Sequence, residues 1–409
     1  MSIQQPTLNH ADLADRVRSL ASAGLEEVIG FRRHMHMYPE LSFQEEKTGQ
    51  FIASLLTRWG IPHTTGWGGH GVVATLSGSG PGPTVALRAD IDALPIHEVD
   101  GRDYGSRVAG VMHACGHDVH MASLLGALRI LMATRDSWQG TVRAIFQPAE
   151  ESHPGGASLL IQEGVLEDPR PVSIFGQHVL PTLAVGKVGF REGVFMASAD
   201  ELYLTIEGRG GHGAMPHLTR DPIAITATLI SALQQLVSRH ANPISPSVLT
   251  FGRIWSDGGA TNIIPDRVHV EGTFRALDET WRAEAHQMLT DMCQGIVGSM
   301  GGRCDLEIRK GYPVLVNDPD TTRKARGWAC DYLGEDRVED LEIRMGAEDF
   351  AWYSQVMPAC FFRLGTGNAE KGITSGLHTP AFDVDEQSLE IGSGLMAWMA
   401  IRQLMEENA

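Results

Sequence analysis

A chain of 409 residues, 43% hydrophobic and 20% charged, can bury the cores of two domains or of one large domain carrying an insertion. Its 33 basic and 50 acidic residues give a formal net charge of −17 with no basic arm or stripe, which excludes nucleic acid and anionic membrane surfaces as partners. An anionic small substrate stays open, because a few local cations reverse the field inside a pocket.

The five cysteines (Cys115, Cys293, Cys304, Cys330 and Cys360) are odd in number and form no CxxC pair, which argues against a disulfide scaffold and for a reducing compartment. The N-terminal stretch MSIQQPTLNHADLADRV lacks a basic segment followed by an apolar one, so no secretory leader is expected. No apolar run approaches the roughly 20 residues that span a bilayer. These features predict a soluble, cytoplasmic protein.

From Ala11 to about His36 apolar residues recur at helical spacing, and Pro39 ends the run. A second helix, EEKTGQFIASLLTRWG, gathers Phe51, Ile52, Leu55, Leu56 and Trp59 on one face and stops at Gly60. Strand-like GVVATLSG and TVALRAD follow, separated by the turn residues GSGPGP. VHMASLLGALRILMATR reads as a buried helix and TVRAIFQPAEE as a strand running into a loop. The helix ASLLIQEGVL and the strand VSIFGQHVL complete this part. Alternating strands and helices predict an α/β fold with a mostly parallel sheet covered on both faces.

The rhythm changes after about residue 196. Strand ELYLTIEGRGG, helix PIAITATLISALQQLVSRH, strands SVLTFGRIWS and RVHVEGTFRAL, a helix near 279–297 and strand CDLEIRK give the order β-α-β-β-α-β. That order is the ferredoxin-like split βαβ pattern, a small α+β domain complete in itself. After Pro313 the earlier alternation resumes with a helix near 320–333, the strand ACFFRLGTG and a helix near 386–406. The expected organisation is a discontinuous large domain of residues 11–195 and 312–409 with a domain of residues 196–311 inserted into it.

Polar clusters fall where strands of the large domain should end: RADIDALPIHE, HACGHD, QPAEE and GQHV, with GLHTPAF in a late loop. Carboxyl ends of parallel strands are where such sheets bind ligands. Within VMHACGHDVHMA, Cys115 and His117 stand two apart among small residues; a helix start with Asp118 at the N-cap explains part of the cluster, and a metal site explains more. Glu150 and Glu151 either edge a solvated loop or divide the work of metal-assisted hydrolysis, one holding a cation and the other accepting a proton. His178 and His378 are unremarkable singly.

Taken together, Cys115, His117, Glu151, His178 and His378 offer thiolate, imidazole and carboxylate donors that suit Zn²⁺, Mn²⁺, Co²⁺ or Ni²⁺. Five protein donors exceed the needs of one catalytic zinc and fit two ions about 3.5–4 Å apart sharing a hydroxide. Asp90, ending TVALRAD, either orients a ligand histidine or caps its loop. In the inserted domain GRGGHGAMPH lacks the ending of a phosphate loop, and His212, Asn262 and Arg275 are its candidate polar groups; an arginine at a strand end can grip a carboxylate with both nitrogens.

These clusters, together with RRHMHMYPELSFQE, NIIPD, MGAEDF and GLHTPAFDVDE, run in order along nearly the whole chain and resemble the M20 family of metallopeptidases and amidohydrolases. The branch most similar contains hippurate hydrolases, N-acyl-amino-acid amidohydrolases and plant auxin-conjugate hydrolases. The resemblance implies a zinc-peptidase-like α/β catalytic domain with an inserted ferredoxin-like lid that usually dimerises, so a homodimer is expected. It implies that Cys115, His117, Glu151, His178 and His378 hold two divalent transition-metal ions (Zn, Mn, Co or Ni). It further implies that Glu150 is the general base, that His212 stabilises the oxyanion, and that Asn262 and Arg275 contact substrate. The implied reaction is hydrolysis of an N-acyl amino acid to a carboxylate and an amino acid. Alternatives are dipeptidase or carboxypeptidase activity at the same site, a metal-free thiol hydrolase built on Cys115, and a non-catalytic binder of acyl amino acids.

Overall fold

The computed structural model describes residues 10–99 and 101–408, so the first nine residues, read above for a leader, lie outside it. The described chain divides into two compact units. One comprises the chain through Gly193 with Val316–Glu342 and Trp352–Ala409; the other comprises Val194–Leu315 with Ile343–Ala351. The segment Ile343–Ala351, which the sequence pattern leaves in the large domain, thus packs with the smaller unit.

The larger unit is built on an eight-stranded sheet. Its strands are β1 (His63–Trp67), β2 (Gly71–Ser77), β3 (Thr84–Asp90), β4 (Thr141–Gln147), β5 (Ser173–Ala184), β6 (Val188–Phe190), β7 (Val338–Asp340) and β8 (Ala359–Gly367). They lie in the order β1-β2-β4-β3-β5-β8-β6-β7. The four central strands β4, β3, β5 and β8 run parallel, whereas β1, β2 and β6 join antiparallel at the flanks. The sheet is therefore mixed, with a parallel centre. Every residue of β3 is buried, as expected of a central strand covered on both faces.

Helices α1 (His10–Met37), α2 (Glu46–Trp59), α3 (His117–Ala133), α4 (Gly156–Gln162), α5 (Pro319–Leu333) and α6 (Ser388–Glu407) cover that sheet. In α2 the apolar stripe buries Ile52, Leu55 and Leu56, and Gly60 closes the helix at φ +69, where a side chain would be strained. Helix α3 is buried along most of its length, leaving Arg129 exposed, and packs between α1 and α6. One buried cluster joins Leu124, Leu125 and Leu128 of α3 to Val17 of α1, Leu395 and Trp398 of α6, and Leu87 of β3. Such a core gives the start of α3 a rigid seat.

The smaller unit has four antiparallel strands ordered Ser247–Ser256, Arg267–Ala276, Asp200–Glu207 and Arg303–Lys310, with helices Pro222–Leu233 and Glu279–Ser299. Alternation along Asp200–Glu207 turns Leu202, Leu204 and Ile206 into a core shared with Leu229 and Leu289 of the two helices. The first helix opens on Asp221, whose carboxylate accepts from the amides of Ile223 and Ala224, with Pro222 at its first position. Where the sequence pattern runs on as one helix to His240, the α-helix ends at Leu233 and a π-helical turn, Leu236–His240, follows. Among the described residues no helix is long and apolar enough to cross a membrane.

Candidate metal centre

The site is assembled where β3 and β4 end and α3 begins, with His178 delivered from within β5. Strand β3 delivers Asp90, whose Oδ2 takes Arg88 Nη1 at 2.7 Å and whose Oδ1 lies 2.6 Å from His120 Nδ1. His120 Nε2 accepts the Val179 amide at 2.9 Å. An Nε2 that accepts leaves the proton on Nδ1, so His120 is a neutral imidazole with both nitrogens engaged. Burial pushes its pKa below the usual imidazole value, although Asp90 opposes this. Asp90 thus orients His120, which is not one of the expected donors, and lies 3.7 Å from His117 Nε2.

Orientation of His117 falls to Asp92. Its backbone carbonyl (2.9 Å) and carboxylate Oδ1 (3.2 Å) both face His117 Nδ1. Asp92 Oδ2 accepts from Ser42 Oγ at 2.7 Å and from the Glu151 amide at 2.9 Å. Burial would raise the Asp92 pKa, but these bonds and the charge of His117 hold it below the ordinary carboxylate value. Nothing in the pattern RADIDALPI distinguished the second aspartate as the one that would reach His117; the contact depends on how the loop after β3 turns.

Helix α3 starts at His117, and Gly116 precedes it at φ +84. A Cβ on Gly116 would stand 2.5 Å from Val179 Cγ2, so glycine is what lets this turn lie against β5. Asp118 is not the N-cap. It lies in the first turn, fully buried, with Oδ2 2.7 Å from Arg32 Nε and 2.8 Å from His36 Nδ1. A buried carboxylate needs such partners, and α1 supplies them.

Around this frame the expected donors converge. Cys115 Sγ lies 3.3 Å from both His178 Nε2 and His378 Nε2. His378 Nε2 is 3.4 Å from Glu151 Oε1, and His117 Nε2 is 3.9 Å from Glu151 Oε1 and from Glu150 Oε2. Among the expected donors and Glu150, three triads have donor atoms within 4.8 Å of one another: Cys115, His117 and His178; Cys115, Glu151 and His378; His117, Glu150 and Glu151. His178 Nδ1 donates to the Val179 carbonyl at 2.8 Å, which leaves its Nε2 for the cluster. His378 holds a left-handed backbone (φ +58), with its amide on the Ala114 carbonyl at 2.9 Å. Strain of that kind persists where neighbours over-determine it.

Two observations test whether cations fit here. His117 Nε2 and Glu151 Oε1 are buried without a hydrogen-bond partner, an arrangement that costs free energy unless a ligand takes up those lone pairs. The local charge is also too negative. Burial disfavours the His117 cation, yet Asp90, Asp92 and Glu151 overcome this and lift its pKa to about 10. Burial, reinforced by Glu151, Glu150 and Asp90, pushes the Cys115 thiol well above its ordinary value. A pocket that retains protons on both a histidine and a thiol is short of positive charge, and its N, S and O donors fit two divalent transition-metal ions.

In the smaller unit, His212 ends the short strand Gly211–His212, which pairs with Ile263–Ile264. His212 Nδ1 accepts the Ala214 amide at 3.1 Å, and the Asn262 carbonyl accepts the Gly213 amide at 2.8 Å, so His212 and Asn262 share one exposed ribbon. Arg275 stands on the four-stranded sheet with Nη1 3.1 Å from the Met345 carbonyl, and burial lowers its pKa.

A metal-binding donor set on a mixed α/β sheet, in a chain whose relatives are named hydrolases, marks a metal-dependent hydrolase. More narrowly, the chain belongs to peptidase family M20/M25/M40, which it matches over residues 86–402. It is 39% identical over 384 residues to the N-acetyl-L-cysteine deacetylase of Bacillus subtilis, covering 94% of this chain and 89% of that protein. It is 38% identical over 391 residues to IAA-amino acid hydrolase ILR1-like 4 of Arabidopsis thaliana, covering 93% and 87%. Among solved structures, the YXEP protein of Bacillus subtilis, described as a dinuclear metal-binding peptidase of the M20 family, superposes with a TM-score of 0.80 at 35% identity, covering 94% of this chain and 99% of that one.

Proposed function

We propose that the protein hydrolyses the amide bond of N-acyl amino acids, releasing a carboxylate and a free amino acid. The observation that carries this reading is the placement of Glu150. It sits beside Glu151, with Oε2 3.9 Å from His117 Nε2, at the edge of the two triads that share Cys115. The deacetylase and the IAA-amino acid hydrolase among its relatives point to the same bond.

Cys115, His117, Glu151, His178 and His378 would hold two divalent ions, which when bound polarise the substrate carbonyl and acidify water. Glu150 takes the proton of the attacking water and passes it to the leaving amine. Asp92 holds the His117 ring with Nε2 towards the cluster, and Glu151 is held by its own amide on Asp92. His212 stabilises the developing oxyanion, a contribution of about 3–4 kcal/mol for such a donor. Asn262 and Arg275 hold the free carboxylate of the amino-acid half, Arg275 with its fork. The smaller unit is the lid, and it joins two copies into a homodimer, which sedimentation equilibrium tests directly.

A nucleophilic role for Cys115 is disfavoured by its surroundings, since carboxylates and burial keep the thiol protonated where a nucleophile needs a depressed pKa. The deciding experiment strips the protein of metal and reconstitutes it with Zn²⁺, Mn²⁺, Co²⁺ or Ni²⁺ against benzoyl-, acetyl- and indoleacetyl-amino acids. Turnover should vanish on stripping and return with at least one ion. Undiminished turnover in the stripped protein, or none on any substrate after loading, overturns the reading.

A further inference from the structure

One buried carboxyl has no part in the chemistry above. Glu45 stands immediately before α2 and is fully buried. Its Oε1 accepts the amide of Ala149 at 2.8 Å, across 104 positions of sequence. Ala149 directly precedes Glu150 and holds a left-handed backbone at φ +55, a conformation that costs a residue with a Cβ and persists only where neighbours impose it. The Ala149 carbonyl accepts from the Gly156 amide at 3.0 Å, so both of its backbone groups are pinned.

On the other side of Glu150, the Glu151 amide is bonded to Asp92 Oδ2 at 2.9 Å. The same oxygen takes Ser42 Oγ at 2.7 Å, three residues before Glu45. The amides before and after Glu150 are therefore each held by a buried carboxyl, and the turn 42–45 serves both. An uncharged residue would fill the site of Glu45 at less cost, since an acid must be desolvated there. Burial and the nearby charge of Asp92 push the Glu45 pKa up to about 7. Its bond to the Ala149 amide fixes the residue preceding Glu150.

We propose that Glu45 is a positioning residue that, through the Ala149 amide, aims the Glu150 carboxylate for proton transfer. The proposal rests on Glu150 being the proton carrier of the reaction proposed above.

The test compares Glu45→Ala, Glu45→Gln and Glu150→Gln in the metal-loaded protein, following kcat, KM, bound metal and melting temperature with the best acyl amino acid of the panel. For Glu45→Ala, kcat should fall about 10- to 100-fold while KM and metal content stay at wild-type values, because misplacement by an ångström costs that much without weakening binding. Glu45→Gln keeps an oxygen for the Ala149 amide and should recover most of the loss. Should Glu45→Ala fail to fold, Glu45→Asp withdraws the carboxylate while keeping its charge, and should show the same fall in kcat at unchanged KM. Wild-type kcat in Glu45→Ala or Glu45→Asp overturns the proposal, as does equal impairment of Ala and Gln variants, or a loss that tracks metal content. Wild-type turnover in Glu150→Gln instead overturns the role of Glu150 itself.

Discussion

Asp92 meets the Nδ1 of His117 with two oxygens, its backbone carbonyl at 2.9 Å and its carboxylate Oδ1 at 3.2 Å. The pair fixes the tautomer and turns Nε2 into the donor cluster. Removing a partner of this kind weakens metal affinity by about 10- to 100-fold. In Asp92→Ala the carbonyl contact survives, so a loss near the lower end, about 10-fold, is expected. Titration of the apoprotein against a competing metallochromic chelator measures it, and an unchanged affinity would show that the carbonyl alone orients the ring.

Glu150 and Glu151 are neighbours in sequence to which the proposed reaction assigns separate tasks. Glu150→Gln should retain both ions and lose about 10²- to 10⁴-fold in kcat, the range for a positioned general base. Glu151→Gln should lose metal first and activity in consequence, since Glu151 Oε1 stands 3.4 Å from His378 Nε2 within a donor triad. Elemental analysis of both variants alongside kcat separates the two roles. If both lose metal equally, the division of labour is wrong.

How much of this was legible beforehand depends on whether local pattern or tertiary pairing decides. The stripe of α2 and the all-round apolar character of α3 announced those helices. Strand β1, HTTGW, carries little apolar signal because it is an exposed edge, and β6 and β7 are three residues each. The antiparallel flanks of the sheet belong to these strands. In the site, the residue types of Cys115, His117, Glu151, His178 and His378 are legible as thiolate, imidazole and carboxylate groups, and the structure brings them together. The stretch HACGHDVH also holds His113 and His120, and residue type alone does not separate them. His120 is occupied at both nitrogens by Asp90 and Val179, whereas both nitrogens of His113 are buried without a partner. The role of Asp92 was equally hidden, since it is set by a loop and not by a period.

A buried ion pair ties α1 to the start of α3. Arg32 is fully buried, with Nε 2.7 Å from Asp118 Oδ2, Nη1 3.0 Å from Glu386 Oε1 and Nη2 3.3 Å from Asp383 Oδ1. Burial opposes its charge, but Asp118, Asp383 and Glu386 more than compensate and raise its pKa. Arg32→Met leaves Asp118 buried with one fewer cation and should cost about 3–5 kcal/mol. Lysine would not restore this, because a single ammonium cannot span three carboxylates. Urea unfolding of the metal-loaded variants reads the difference, and a loss below about 1 kcal/mol would mean that His36 alone satisfies Asp118.

The smaller unit carries a buried carboxylate of its own, Asp200. Asp200 accepts from Arg282 Nε at 2.9 Å, from the Gly311 amide at 3.1 Å and from His286 Nε2 at 2.7 Å. Burial would raise its pKa, but the bonds from Arg282 and His286 prevail and bring it to about 2, against an ordinary value of 3.8. The folded pKa is the lower one, so the native state binds fewer protons than the unfolded chain in this window. Its stabilisation is fully present above the unfolded value and disappears as pH falls through the folded value. Allowing for residual solvent screening, the contribution is about 1–2 kcal/mol. Asp200→Asn, which mimics the protonated form, should therefore be less stable than wild type at pH 7, and the gap should narrow by that amount between about pH 5 and pH 2. Urea unfolding of both proteins in chelator across this range isolates the effect from metal loss. A gap that stays constant with pH would show that Asp200 titrates alike in the folded and unfolded chain.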